Sequence, residues 1–94
     1  MEIKVEYIEY LIGLDISGQA FRILLALNTK EYTQSQIQEN LNIQDKAQVN
    51  KLFKDLSYRG LIEITRIEGR NKFYRAITNV KRLRVNIAGQ QRMF

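Results

Sequence analysis

A chain of 94 residues with 45% hydrophobic and 27% charged side chains has the make-up of one small globular domain and is too short for two. It contains neither cysteine nor histidine, which excludes a disulfide framework, thiolate or imidazole metal sites, the usual general base and a cysteine nucleophile. The net charge is +5, no secretory signal is read at the start, and no apolar run approaches the roughly 18 residues that cross a bilayer. The expectation is a cytoplasmic protein with an anionic partner and no cofactor.

In chain order, Ile3, Val5 and Tyr7 alternate with Glu2, Lys4 and Glu6 as a short strand would, while Ile3, Tyr7, Tyr10, Leu11 and Leu14 also share a helical face. Of the two, a helix is the expectation before the break at Gly13 and Asp15. Ser17 is a good N-cap for a helix from about Gly18 to Thr29, with Ile16 and Phe21 placed as a hydrophobic staple. That helix runs Ile23-Leu24-Leu25-Ala26-Leu27 and reads as the central buried element. Thr33 and Gln36 form a capping-box pattern, with Tyr32 and Ile37 as its staple, and open a short helix that ends near Leu41. After the connection Asn42-Ile43-Gln44, Asp45 and Gln48 form a second capping-box pattern for a longer helix to about Tyr58, closed by Gly60.

Beyond Gly60 the period changes. Leu61 to Ile67 is rich in β-branched residues, Glu68-Gly69-Arg70-Asn71 is a turn signal, and Lys72 to Ile77 is the returning strand. Asn79 can cap a last short helix with Val80, Leu83 and Ile87 on one stripe, ending near Gly89. The predicted fold class is mainly α with a β-hairpin, a single α+β domain with a core of about 17–77 and terminal segments 1–14 and 79–94.

Charge is divided unevenly along this order. Residues 1–43 carry three cations against six anions, and residues 44–94 carry twelve cations against four anions. Such a split marks a nucleic-acid face, although basic membrane-surface proteins share it. Two capped helices joined by a three-residue turn, then a glycine and a hairpin, make a helix-turn-helix with a wing.

The stretch Ser17 to Ile77 resembles the winged helix domains of bacterial and archaeal regulators of the ArsR and MarR groups. The resemblance is carried by Val49, Phe53 and Leu56, by Tyr58-Arg59-Gly60-Leu61-Ile62, and by the basic turn from Arg66 to Tyr74. The turn before Asp45 is one residue longer than the commonest family form. The resemblance implies a DNA-binding regulator, most simply a homodimeric repressor. The missing Cys and His argue against metal sensing of the ArsR kind and against thiol redox sensing.

At about 100° per residue, Val49, Leu52, Phe53 and Leu56 fall on the buried face of the recognition helix. Opposite them lie Ala47, Lys51, Lys54 and Tyr58, flanked by Lys46, Gln48 and Asn50, with Gln44 just ahead. Lysines hold phosphates and reach guanine acceptors, whereas Gln and Asn bond adenine in two places. Gln44 to Lys51 are expected nearest the bases and Lys54 nearer the backbone. In the wing, Arg66, Arg70, Asn71 and Lys72 are placed to meet phosphates or the minor groove.

A twofold dimer would match a palindromic site on double-stranded DNA, and Ile3, Tyr7, Tyr10, Leu11, Val80, Leu83 and Ile87 are candidates for its seam. The alternative is that these residues complete the chain's own core. Lys81, Arg82, Arg84 and Arg92 can extend the basic surface or keep the last helix soluble. No catalytic constellation is present: the serines have no histidine, and Gly69 sits in a turn rather than a phosphate loop. Two other uses of the same shape are a plasmid or phage partition or replication factor, associated with the nucleoid or plasmid, and a winged helix that binds only protein.

Overall fold

The computed structural model describes residues 4–83. Helix α1 spans Val5–Ile12, α2 Gly18–Thr29, α3 Gln34–Asn40 and α4 Lys46–Tyr58. Strands β1 (Ile62–Glu68) and β2 (Asn71–Ala76) form an antiparallel hairpin, and residues 80–83 begin a further helical turn. Among the described residues, the core draws on every one of these elements, from Tyr7 and Leu11 to Ile77 and Leu83. Among the described residues, no helix is long and apolar enough to cross a membrane.

The helix starts follow the predicted chemistry. Ser17 Oγ accepts the Ala20 amide at 3.1 Å, and Asp45 Oδ1 accepts the Ala47 amide at 2.9 Å. Thr33 and Gln36 make the full reciprocal box, at 3.1 and 3.0 Å. The second box is only half made. Asp45 caps α4, but the Gln48 side-chain amide donates across to Gln19 of α2 at 3.4 Å instead of returning to Asp45.

The two helices of the helix-turn-helix end in the same way. Ile43 N–H donates to Gln38 and Asn42 N–H to Glu39, and Leu61 N–H donates to Leu56 and Gly60 N–H to Ser57. Each pair is a Schellman motif, which requires a left-handed residue between its two bonds. Asn42 (φ 59°) and Gly60 (φ 73°) provide it. The following residue, Ile43 or Leu61, is driven into the core and fixes the direction in which the chain leaves. The Arg22 guanidinium of α2 donates to the Leu41 carbonyl at 3.2 Å and holds the end of α3 in place.

The hairpin turns through the two-residue loop Gly69-Arg70, with Glu68 paired to Asn71. Gly69 has φ 60°, the conformation that a type II′ turn requires at its first central residue. Two features of the hairpin are not visible as sequence patterns. Tyr32, expected only as a staple, pairs its backbone with Tyr74 by two bonds of 3.0 and 2.8 Å, which ties the α2–α3 connection to β2. The register also skips between Ile64 and Arg66, leaving Thr65 as a bulge.

At that bulge Thr65 Oγ1 donates to Glu31 Oε2 at 2.6 Å and Arg66 Nε donates to Glu31 Oε1 at 2.8 Å. The Thr65 hydrogen bond, followed by the contact and charge of Arg66, holds the Glu31 carboxyl below its ordinary range.

Two measurements test this packing. The rings of Phe53 and Tyr74 meet edge to face at 4.9 Å, joining α4 to β2. Phe53→Ala should therefore destabilise the domain by about 3–5 kcal/mol in urea unfolding. A loss below about 1 kcal/mol would place the ring outside the core. For Glu31, an NMR titration should give a midpoint below the usual 4.5, and Thr65→Val should move it back up. Because the folded value is the depressed one, the contact stabilises the fold above the ordinary carboxylate range. That contribution disappears as pH falls through the folded midpoint.

Candidate nucleic-acid interface

The amphipathicity of α4 decides what the surface can touch. Val49, Leu52, Phe53 and Leu56 are buried against the core. The face left outside carries Lys46, Ala47, Asn50, Lys51 and Lys54, all exposed, with Gln44 exposed just before the cap. Gln48 is half-buried and turned towards α2 by its bond to Gln19, so it stands at the flank of this face, as its helical position implies.

The wing meets this helix along two shallow open grooves. One is lined by Asn50, Lys54 and Ser57 of α4, by Gln34 of α3 and by Lys72 of β2. The other joins Gln34 and Ser35 at the start of α3 to Arg70, Asn71 and Lys72 at the wing turn. The fold thus brings Asn50, Lys54 and Lys72 onto one concave surface, continuous through Gln34 with Arg70 and Asn71. Gln44, Lys46, Ala47 and Lys51 extend along α4 outside these two grooves.

Gln34, Ser35 and Ser57 join the site without having been expected from the sequence. The capping box at Thr33 located the start of α3, and its first-turn residues were the available signal. What the sequence did not show is that the wing folds back over that turn.

The cations divide into two groups. Arg59 is paired with Asp55 at 3.1 Å and Arg82 with Glu63 at 2.9 Å. Arg66 is braced by Glu31 at 2.8 Å, by Glu68, and by the Phe73 ring 3.9 Å from its guanidinium carbon. Among the described residues no ion pair involves Lys46, Lys51, Lys54, Arg70 or Lys72. Among the described residues, a phosphate approaching these five has no ion-paired carboxylate to displace. Arg66, expected with Arg70 as a wing contact, pairs with Phe73 two residues before the pair that closes the turn, and its guanidinium is engaged there.

Most of the residues considered for a subunit seam lie inside the chain. Tyr7, Leu11 and Leu83 are buried in its own core, and Tyr10 and Val80 pack partly buried against it. The Tyr7 hydroxyl accepts from Asn28 of α2 at 3.3 Å, and burial raises its pKa. A domain this small needs the apolar side of α1 to close its interior. The opposite side of α1 is left open, with Val5 70% and Ile12 74% exposed. Ile3, Ile87, Arg84 and Arg92 lie outside the described residues.

Three solved structures share this fold. A variant of ZitR from Lactococcus lactis superposes with a TM-score of 0.65 at 22% identity, covering 86% of this chain and 56% of that one. The adhesin competence repressor AdcR from Streptococcus pyogenes gives 0.63 at 16% identity, covering 92% of this chain and 63% of that one. A MarR-family regulator from Neisseria meningitidis gives 0.59 at 24% identity, covering 92% of this chain and 62% of that one. The chain therefore spans little more than half to under two-thirds of the length of these proteins. No protein-family model and no curated protein sequence matches it. At these identities the likeness is one of fold: the chain is a winged helix-turn-helix domain, of the shape that the MarR-family regulator carries.

Proposed function

We propose that this protein binds double-stranded DNA in a sequence-specific manner and regulates transcription, most simply as a homodimeric repressor in the cytoplasm. The observation that carries this reading is that Lys46, Lys51 and Lys54 on α4 and Arg70 and Lys72 on the wing lie, among the described residues, outside any ion pair. They lie on the two elements that a winged helix offers to a duplex. Lysine and arginine release counterions from the phosphates and supply affinity. Gln44 and Asn50, with Lys46 and Lys51 beside them, supply the base-edge chemistry. The small side chain of Ala47 permits close approach to the groove floor.

The shared fold of AdcR, a repressor, and of the MarR-family protein, a regulator, supports the same use of the surface. Dimerisation is supported by the exposed apolar side of α1, where Val5 and Ile12 remain uncovered. Catalysis is disfavoured by the chain's chemistry, since it has neither imidazole nor thiol.

Selection from a random duplex library should enrich a palindrome with half-sites about one helical turn apart. Fluorescence polarisation on that duplex across salt should then show a steep fall in affinity. Lys51→Ala and Lys54→Ala should each weaken binding and flatten the log–log salt slope by about 0.9 for every phosphate left without its cation. Arg70→Ala should weaken binding with its unfolding midpoint unchanged. Wild-type protein with no salt-dependent affinity for duplex DNA would overturn the reading in favour of a purely protein-binding domain. Full affinity and an unchanged slope in both lysine variants would overturn the orientation of α4.

A further inference from the structure

We propose that Glu31, which lies in the helical half of the chain and touches no part of the basic surface, sets the position of the wing through Thr65 and Arg66. This inference rests on the DNA-binding reading above and assigns a positioning residue to that surface.

The geometry begins with the bulge. Consecutive side chains of a regular strand point to opposite faces, so one carboxylate cannot ordinarily be held by two neighbouring residues of one strand. The skipped register between Ile64 and Arg66 removes that restriction. Thr65 takes one oxygen of Glu31 at 2.6 Å and Arg66 takes the other at 2.8 Å. The guanidinium is further fixed by Glu68 on its own strand and by the Phe73 ring, 3.9 Å away on the partner strand.

The placement of the latch in the hairpin gives it leverage. Glu31 is the residue before Tyr32, whose backbone pairs with Tyr74 at 2.8 and 3.0 Å. Two consecutive residues of the α2–α3 connection therefore grip both strands, one through its side chain and one through its backbone. Beyond this grip Ile67 to Lys72 are all exposed and draw no core side chain from the body of the domain. The hairpin is a lever held at its base, and a small rotation there moves Arg70 and Lys72 furthest.

Charge alone makes the opposite prediction. A carboxylate on a DNA-binding domain repels phosphate, so removing it should tighten binding. The latch predicts that removing it loosens binding. Thr65→Val separates the two accounts further, because it leaves every charge in place while deleting one arm of the grip.

The test uses the full chain and the variants Glu31→Gln and Thr65→Val. Amide hydrogen exchange without DNA should show exchange at Ile67 to Lys72 roughly five- to tenfold faster in both variants, with the α2 and α4 amides unchanged. Affinity for the selected duplex should fall about three- to tenfold in both, and this decrease should vanish in an Arg70→Ala, Lys72→Ala background, where the wing's cations are gone. Unchanged wing exchange in both variants overturns the latch. So does tighter binding by Glu31→Gln together with unaltered binding by Thr65→Val. If the wild type binds no duplex, the function proposed above fails while the exchange measurement still decides the latch.

Discussion

Tyr74 is the point at which the three parts of this domain are joined. Its ring packs edge to face on Phe53 of α4, and its backbone bonds twice to Tyr32 between α2 and α3. The strand it belongs to is paired with Ile64 opposite. The recognition helix, the start of the helix-turn-helix and the wing therefore share one fixed reference. An edge-to-face aromatic contact has a preferred geometry as well as buried area, so it orients α4 relative to the sheet as well as attaching it. The grooves that gather Asn50, Lys54 and Lys72 exist because this junction holds the two elements at a set angle.

The basic side chains around that junction do two kinds of work. Arg22, Arg59, Arg66 and Arg82 each bond a carbonyl or a carboxylate within the domain. A planar, multidentate guanidinium suits such bracing, even though an exposed pair adds little to stability. The lysines of α4 are compact charges on flexible stems, and they stand outside any ion pair among the described residues. Net charge does not reveal this division. Among the described residues, pairing separates the braced guanidiniums, Arg66 among them, from the lysines of α4.

The helix-turn-helix itself was legible because its signals are local. Ser17, Thr33 and Asp45 cap as their side chains permit, and Asn42 and Gly60 sit where a left-handed residue is needed. The buried face of α4 follows from 3.6-residue periodicity, and the wing turn from Gly69. The misses have a common origin in contacts between residues distant in sequence. Gln48 fits a capping box by spacing but finds Gln19, twenty-nine residues away, within reach. Tyr7, Leu11 and Leu83 make as plausible an interface as a core until α2 and the hairpin are seen to need covering.

The amino-acid sequence by itself determined the bounds of α2 and α4, the change to strand at Gly60 and the outward face of α4. These depend on caps, periodicity and residue type, each of which acts within one or two turns of chain. Tertiary structure alone decided that α1 closes the core, that Gln34, Ser35 and Ser57 border the basic surface, and that Arg66 is held by Glu31. The physical reason is that which partner a polar or apolar side chain finds depends on segments brought together only by folding. A bulge of a single residue at Thr65 was enough to turn two neighbouring side chains onto one carboxylate.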